Sequence, residues 1–189
     1  MNFLKKLWKC LFVWNVPSGN QEELERADVI VTQAISRSKN GKPGCGNELL
    51  AMVARQLHRK YPDTPIIPQE EVWLAEKSIP YFAVAHVPDG EPWDHSTPTW
   101  NTESVARFQA EICRKNGWIR AALIAVPVHQ GRAAWTMEKL GLEPIVIKMP
   151  GVTNDYCHNE AAYWSARAGW RVVVREFFCR LYFLFTGRI

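Results

Sequence analysis

The segment Pro127-Val-His129-Gln-Gly-Arg132-Ala133 holds the residue types best suited to chemistry. It follows an apolar run, Ala121 to Val126, and precedes a helical pattern from Ala133 to Leu140. A turn between a buried strand and a helix aims first-turn N–H groups at whatever lies above the sheet. His129 can donate, accept or transfer a proton near neutral pH. Arg132 offers a planar fork suited to a carboxylate or phosphate. The plainer alternative has His129 bonding loop backbone and Arg132 pairing with a surface acid. Asn101-Thr102-Glu103 stands at the start of the preceding helical pattern. There Thr102 is an ordinary N-cap residue, or its hydroxyl faces the same pocket as His129. The expected set is therefore His129 as the polarising or proton-handling group, with Asn101, Thr102 and Arg132 holding a ligand. Gln33, at the exit of the first strand, joins the ligand contacts.

Other constellations are weaker. Cys157-His158-Asn159-Glu160 mixes soft and hard metal ligands, and His86, Asp89, Asp94 and His95 offer partners. A metal needs convergent geometry, and no metal site is assigned. Cys45 precedes a helix N-terminus, where a thiol pKa can fall, but no base stands beside it in sequence. Glu70-Glu71 read as first-turn acids favoured by the helix dipole rather than as an acid/base pair.

The elements that must position these groups alternate. Strands are expected at 27–32, 65–68, 81–87, 121–126 and 144–148, from apolar runs bounded by turn residues. Helices are expected at 48–60, with Asn47 as cap, then from 69, and at 102–116, 133–140 and 160–187, with a bend near Gly169. Strand–helix alternation predicts a three-layer α/β/α sandwich of the Rossmann-like kind, with a mainly parallel sheet of about five strands. Its ligands sit where strands end, near a reversal of strand order. The loops 33–47, 69–72, 87–102, 127–132 and 149–159 leave those ends. Asp28 starts its strand at the opposite edge, which makes it structural.

The block Thr97 to Ala133 also resembles the central signature of the ElyC/SanA/YdcF family, a domain of unknown function. Asn101, Thr102, His129, Arg132 and Ala133 match its Asn-Thr pair, helix, apolar strand and His/Arg turn in order. Arg175-Glu176 and Ala27 to Val31 resemble its ending and its opening strand. The family's Gly-Gly and Ser-Gly turns are replaced here by Thr32-Gln33-Ala34 and Pro68-Gln69-Glu70-Glu71, which marks a divergent branch. The resemblance implies a Rossmann-like fold, a link to the bacterial envelope, and S-adenosylmethionine as a candidate ligand. It implies no particular reaction.

Composition narrows the classes. A length of 189 residues suits one domain, read as 20–189 behind an extension at 1–19. The net charge of +4 falls short of the basic stripe of a nucleic-acid binder. Five cysteines, an odd number with no C-x-x-C pair, point to a reducing, cytoplasmic setting rather than a disulfide framework. Met1 to Trp14 is too short to span a bilayer and lacks a signal-peptide cleavage site. As a helix it gathers Leu4, Leu7, Trp8, Leu11 and Trp14 on one face, with Lys5, Lys6 and Lys9 mostly away from it. Such a helix packs on the domain's flank or lies on a membrane surface. The apolar segment Val172 to Phe185 is open to the same two readings. The expected functions are thus binding of a small anionic or nucleotide-like ligand, or a non-catalytic scaffold peripheral to the inner face of the membrane.

Overall fold

Val29–Gln33 (β1) has no exposed side chain on either face, and everything else is arranged around it. In a computed structural model of the chain, the residues described are 7–8, 16–34, 43–85, 102–149 and 169–187. Their elements in chain order are α1 (Gln21–Glu25), β1, α2 (Cys45–Lys60), β2 (Ile66–Ile67), α3 (Glu70–Ala75), α4 (Thr102–Asn116), β3 (Arg120–Ala125), α5 (Pro127–Lys139), β4 (Glu143–Val146) and α6 (Gly169–Phe185). The four strands are all parallel, in the order β2-β1-β3-β4. β1 lies alongside β3 over its full length, from Val29 opposite Ala121 to Gln33 opposite Ala125.

Strand periodicity divides the core in two. Ile30, Ile66 and Ile124 face Leu50, Val53 and Ala54 of α2 and Val72 of α3. Val29, Val31 and Leu123 face Ala106, Ala110 and Cys113 of α4 and Ala133, Ala134 and Met137 of α5. Alanines on the second face let those helices lie close to the sheet. Gly117 (φ 72°) and Gly141 (φ 87°) end α4 and α5 in left-handed conformations that suit glycine. Behind each, the next N–H reaches back five residues, Trp118 to the Cys113 carbonyl and Leu142 to that of Met137. The chain is thereby turned straight into β3 and β4.

The expected strand at 81–87 is not formed among its described residues. Residues 81–85 do run beside β2: the Phe82 N–H donates to Ile66 O (2.8 Å) and the Ala85 N–H to Pro68 O (2.9 Å). Three steps along this segment thus answer two along its neighbour. Pro68 also has no N–H to return a bond, so the ladder shrinks to one bridge between Gln69 and Ala85. Helix α2 starts earlier than expected. Its cap is Gly44, and Asn47 lies inside the first turn, fully buried.

Asp28 sits at the amino edge, as expected. Its carboxylate accepts from the N–H groups of Ile119 (3.0 Å) and Arg120 (2.8 Å) and from the Arg120 guanidinium (3.1 Å). Partial burial opposes its charge, but these donors hold the carboxyl below its ordinary pKa. Asp28→Asn should weaken the fold by about 1–2 kcal/mol, measured by denaturant unfolding, because it keeps one acceptor oxygen and loses the charge.

Candidate functional site

Pro127 to Arg132 is not a turn. It is the first turn and a half of α5, with Pro127 in its first turn. Proline fits there because its fixed φ suits a helix and its missing N–H is not needed. The consequence is geometric: His129 and Arg132, three residues apart, lie on one face. Thr102 is the first residue of α4 rather than its cap. Because α4 runs down toward the start of β3 and α5 starts where β3 ends, both N-termini lie at the carboxyl edge. The side chains of Thr102, His129 and Arg132 do meet.

They meet around a carboxylate that the sequence reading did not use. Glu176 of α6 is buried and takes the Arg132 guanidinium in a fork, with Nε–H donating to Oε1 (2.9 Å) and Nη2–H to Oε2 (3.0 Å). Nη1 donates to the Thr102 hydroxyl, and Nη2 lies 3.1 Å from His129 Nδ1. Arg180, one turn beyond Glu176 and fully buried, donates to the same carboxylate through Nε (3.3 Å) and lies over the Trp135 ring. Arg132 in turn lies over Phe183. This hub ties α4, α5 and α6 together.

The hub fixes charge states. Burial would raise the Glu176 pKa, but the Arg132 guanidinium overrides it and brings the group to about 2. Burial, and then the Arg132 charge, push His129 below its ordinary value. His129 Nδ1 lies 3.1 Å from Arg132 Nη2, which can only donate, and 3.7 Å from Glu176 Oε2; the shorter contact favours a neutral ring that accepts at Nδ1 and carries its proton on Nε2. His129 is thereby set up as a hydrogen-bond donor rather than a base. Arg132 directs its Nε–H, both Nη2–H and one Nη1–H to named partners, four of its five N–H groups. The fork expected to hold a ligand is therefore occupied by Glu176.

Gly131 belongs to the same design. A Cβ there would stand 2.9 Å from Arg180 Nη2 and 3.5 Å from its Cζ. Alanine in a helix ordinarily stabilises by about 1 kcal/mol over glycine. Here the tip of Arg180, buried over Trp135, must shift to admit the methyl, which offsets that gain, so Gly131→Ala should leave stability unchanged or lower it by up to about 1 kcal/mol in denaturant unfolding.

Two further amides lace the carboxyl edge. Gln109 of α4 donates to Thr32 O and Ile67 O (both 3.0 Å), joining β1 to β2. Gln130 of α5 donates to Ala125 O (2.9 Å) and Ile147 O (2.8 Å), joining β3 to the exit of β4. Gln33 ends β1 between these braces. It is buried, its Nε2 reaches Gln109 Oε1 only at 3.5 Å, and its Oε1 has no hydrogen-bond partner among the described residues. The signal for Glu176, Arg180, Gln109 and Gln130 was available in sequence: each is a polar residue on an otherwise apolar helix face.

Other expectations fall elsewhere. Asn101, His86, Asp89, Asp94, His95, Cys157, His158 and Glu160 lie outside the described residues, as does the side chain of Cys45. No group of three metal-ligating side chains occurs among the described residues. Of the N-terminal helix only Leu7 and Trp8 are described, both helical. Glu70 and Glu71 occupy the first turn of α3, and Glu71 is buried. No helix among the described residues is long and apolar enough to cross a membrane.

Fold and hub together define a Rossmann-like α/β domain whose carboxyl edge is braced by buried side chains from three helices. No protein-family model, curated protein or solved structure matches the chain.

Proposed function

We propose that the chain binds a small nucleotide-like ligand over the carboxyl ends of β1 and β3, with S-adenosylmethionine the first candidate. The carrying observation is the Gln33 carbonyl, a buried acceptor without a partner among the described residues. An unmet buried acceptor costs about 1–3 kcal/mol, which a donor on a ligand would recover. Its position supports the same reading. Strand order reverses between β1 and β3, and open parallel sheets take ligands at that reversal. The N-termini of α4 and α5 meet at this edge and favour an anionic group. In this reading Thr102 and Asn101 orient the ligand and His129 donates through Nε2. Arg132, engaged by Glu176, holds the imidazole and the threonine in place and adds one N–H.

Isothermal titration with S-adenosylmethionine, S-adenosylhomocysteine and adenosine phosphates tests this. One of them should bind, and Gln33→Leu should bind it at least about tenfold more weakly while the unfolding stability of the unliganded protein is kept or raised. No heat from any of them, or equal binding by Gln33→Leu, would overturn the proposal.

A further inference from the structure

The outward face of α6 is apolar. Val174 (45% exposed), Phe178 (63%), Tyr182 (52%) and Phe185 (71%) follow one another at spacings of four, four and three residues. That spacing draws one continuous stripe along the helix. The opposite face holds Glu176, Arg180, Phe183 and Leu184 in the interior, so the stripe is not a core face turned outward by chance of register. Contiguous exposed apolar surface of this kind marks an interaction site.

Charge selects the occupant. Glu176 is the sole acid within Gly169–Phe185, and it is buried. The exposed charge on the outer face is a cation, Arg175. At the other end of the helix, exposed Lys139 brings its ammonium close to Gly187. A second copy of this helix would face it with a like charge and no exposed carboxylate, whether paired parallel or antiparallel. An anionic lipid surface meets both parts of the pattern: its phosphates take the cations, and its interfacial zone takes phenyl and phenol rings.

We infer that the outer face of α6 lies on anionic membrane surfaces, with Phe178, Tyr182 and Phe185 entering the headgroup boundary. The docking is peripheral, and it is independent of any ligand over β1 and β3. Sedimentation of the full chain with phosphatidylcholine vesicles, with and without phosphatidylglycerol, tests it. The chain should pellet with the anionic vesicles and leave them at high salt. The double variant Phe178→Ser/Phe185→Ser should partition at least about tenfold less, with its melting temperature unchanged because both rings are exposed. Equal partitioning of the variant, equal binding to neutral vesicles, or no binding by the parent chain would each overturn the inference. So would sedimentation equilibrium showing a dimer that the same double variant abolishes.

Discussion

Replacing Glu176 by Gln should cost about 3–5 kcal/mol of unfolding free energy, the largest effect expected of any near-isosteric change in this chain. The reason is not that a buried ion pair is intrinsically favourable. Removing ions from water is expensive, and an apolar triad of the same shape can be as stable. The cost arises because the substitution leaves two buried guanidiniums, Arg132 and Arg180, facing one amide oxygen in place of a carboxylate. The amide NH2 would also point at one of them. For a domain of this length, each 1 kcal/mol lowers the melting temperature by about 2–4 °C, so a fall of roughly 6–20 °C is expected in calorimetry. Arg132→Lys should show a related loss, since a lysine cannot reach Glu176, Thr102 and His129 together. The double variant should be less destabilised than the sum of the two, because both act on one interaction.

Acidification should weaken the fold in two stages. His129 is buried and held below its ordinary value of 6.5, so the native state resists taking the proton that the unfolded chain accepts. Its contribution is complete above about pH 6.5 and declines as pH falls below that value. Glu176 follows at lower pH. Its ordinary value is 4.5 and its native value about 2, so its contribution is present above 4.5 and lost as pH falls from 4.5 toward 2. That separation corresponds to about 3 kcal/mol. Denaturant midpoints measured from about pH 7.5 down to about pH 3 should show both declines. His129→Gln should remove the first and reduce the second without abolishing it, because the Arg132 charge is the larger cause that lowers Glu176. A profile flat to pH 4 would mean that the imidazole is not held neutral.

Much of the fold could be read from sequence because the controlling signals are local. Val29 to Val31 and Ala121 to Ala125 are apolar without alternation, which marks strands buried on both faces, and the helices between them follow from periodicity. What failed was decided across the chain. The segment at 81–85 reads as a strand, but its pairing depended on Pro68 of its neighbour and on an extra residue in its own path. Pro127 looked like loop punctuation, whereas proline is equally at home at the start of a helix. The meeting of Thr102, His129 and Arg132 was one of two readings that their places at the starts of successive helices left open. Their common partner was not legible, because Glu176 lies 44 residues beyond Arg132 and no local pattern links the two. That missing carboxylate changes the chemistry assigned to Arg132, from a ligand's counter-ion to a brace that holds His129 and Thr102.

In the function we propose, Gln33 and His129 face one ligand over the carboxyl edge of the sheet. Nitrogen-detected NMR on labelled protein tests it most directly, following the Gln33 side-chain amide and the His129 ring nitrogens as S-adenosylmethionine is added. Both should shift together and saturate at one concentration, with the His129 pattern remaining that of a neutral ring protonated at Nε2. Saturable shifts confined to residues distant from both side chains would contradict the account.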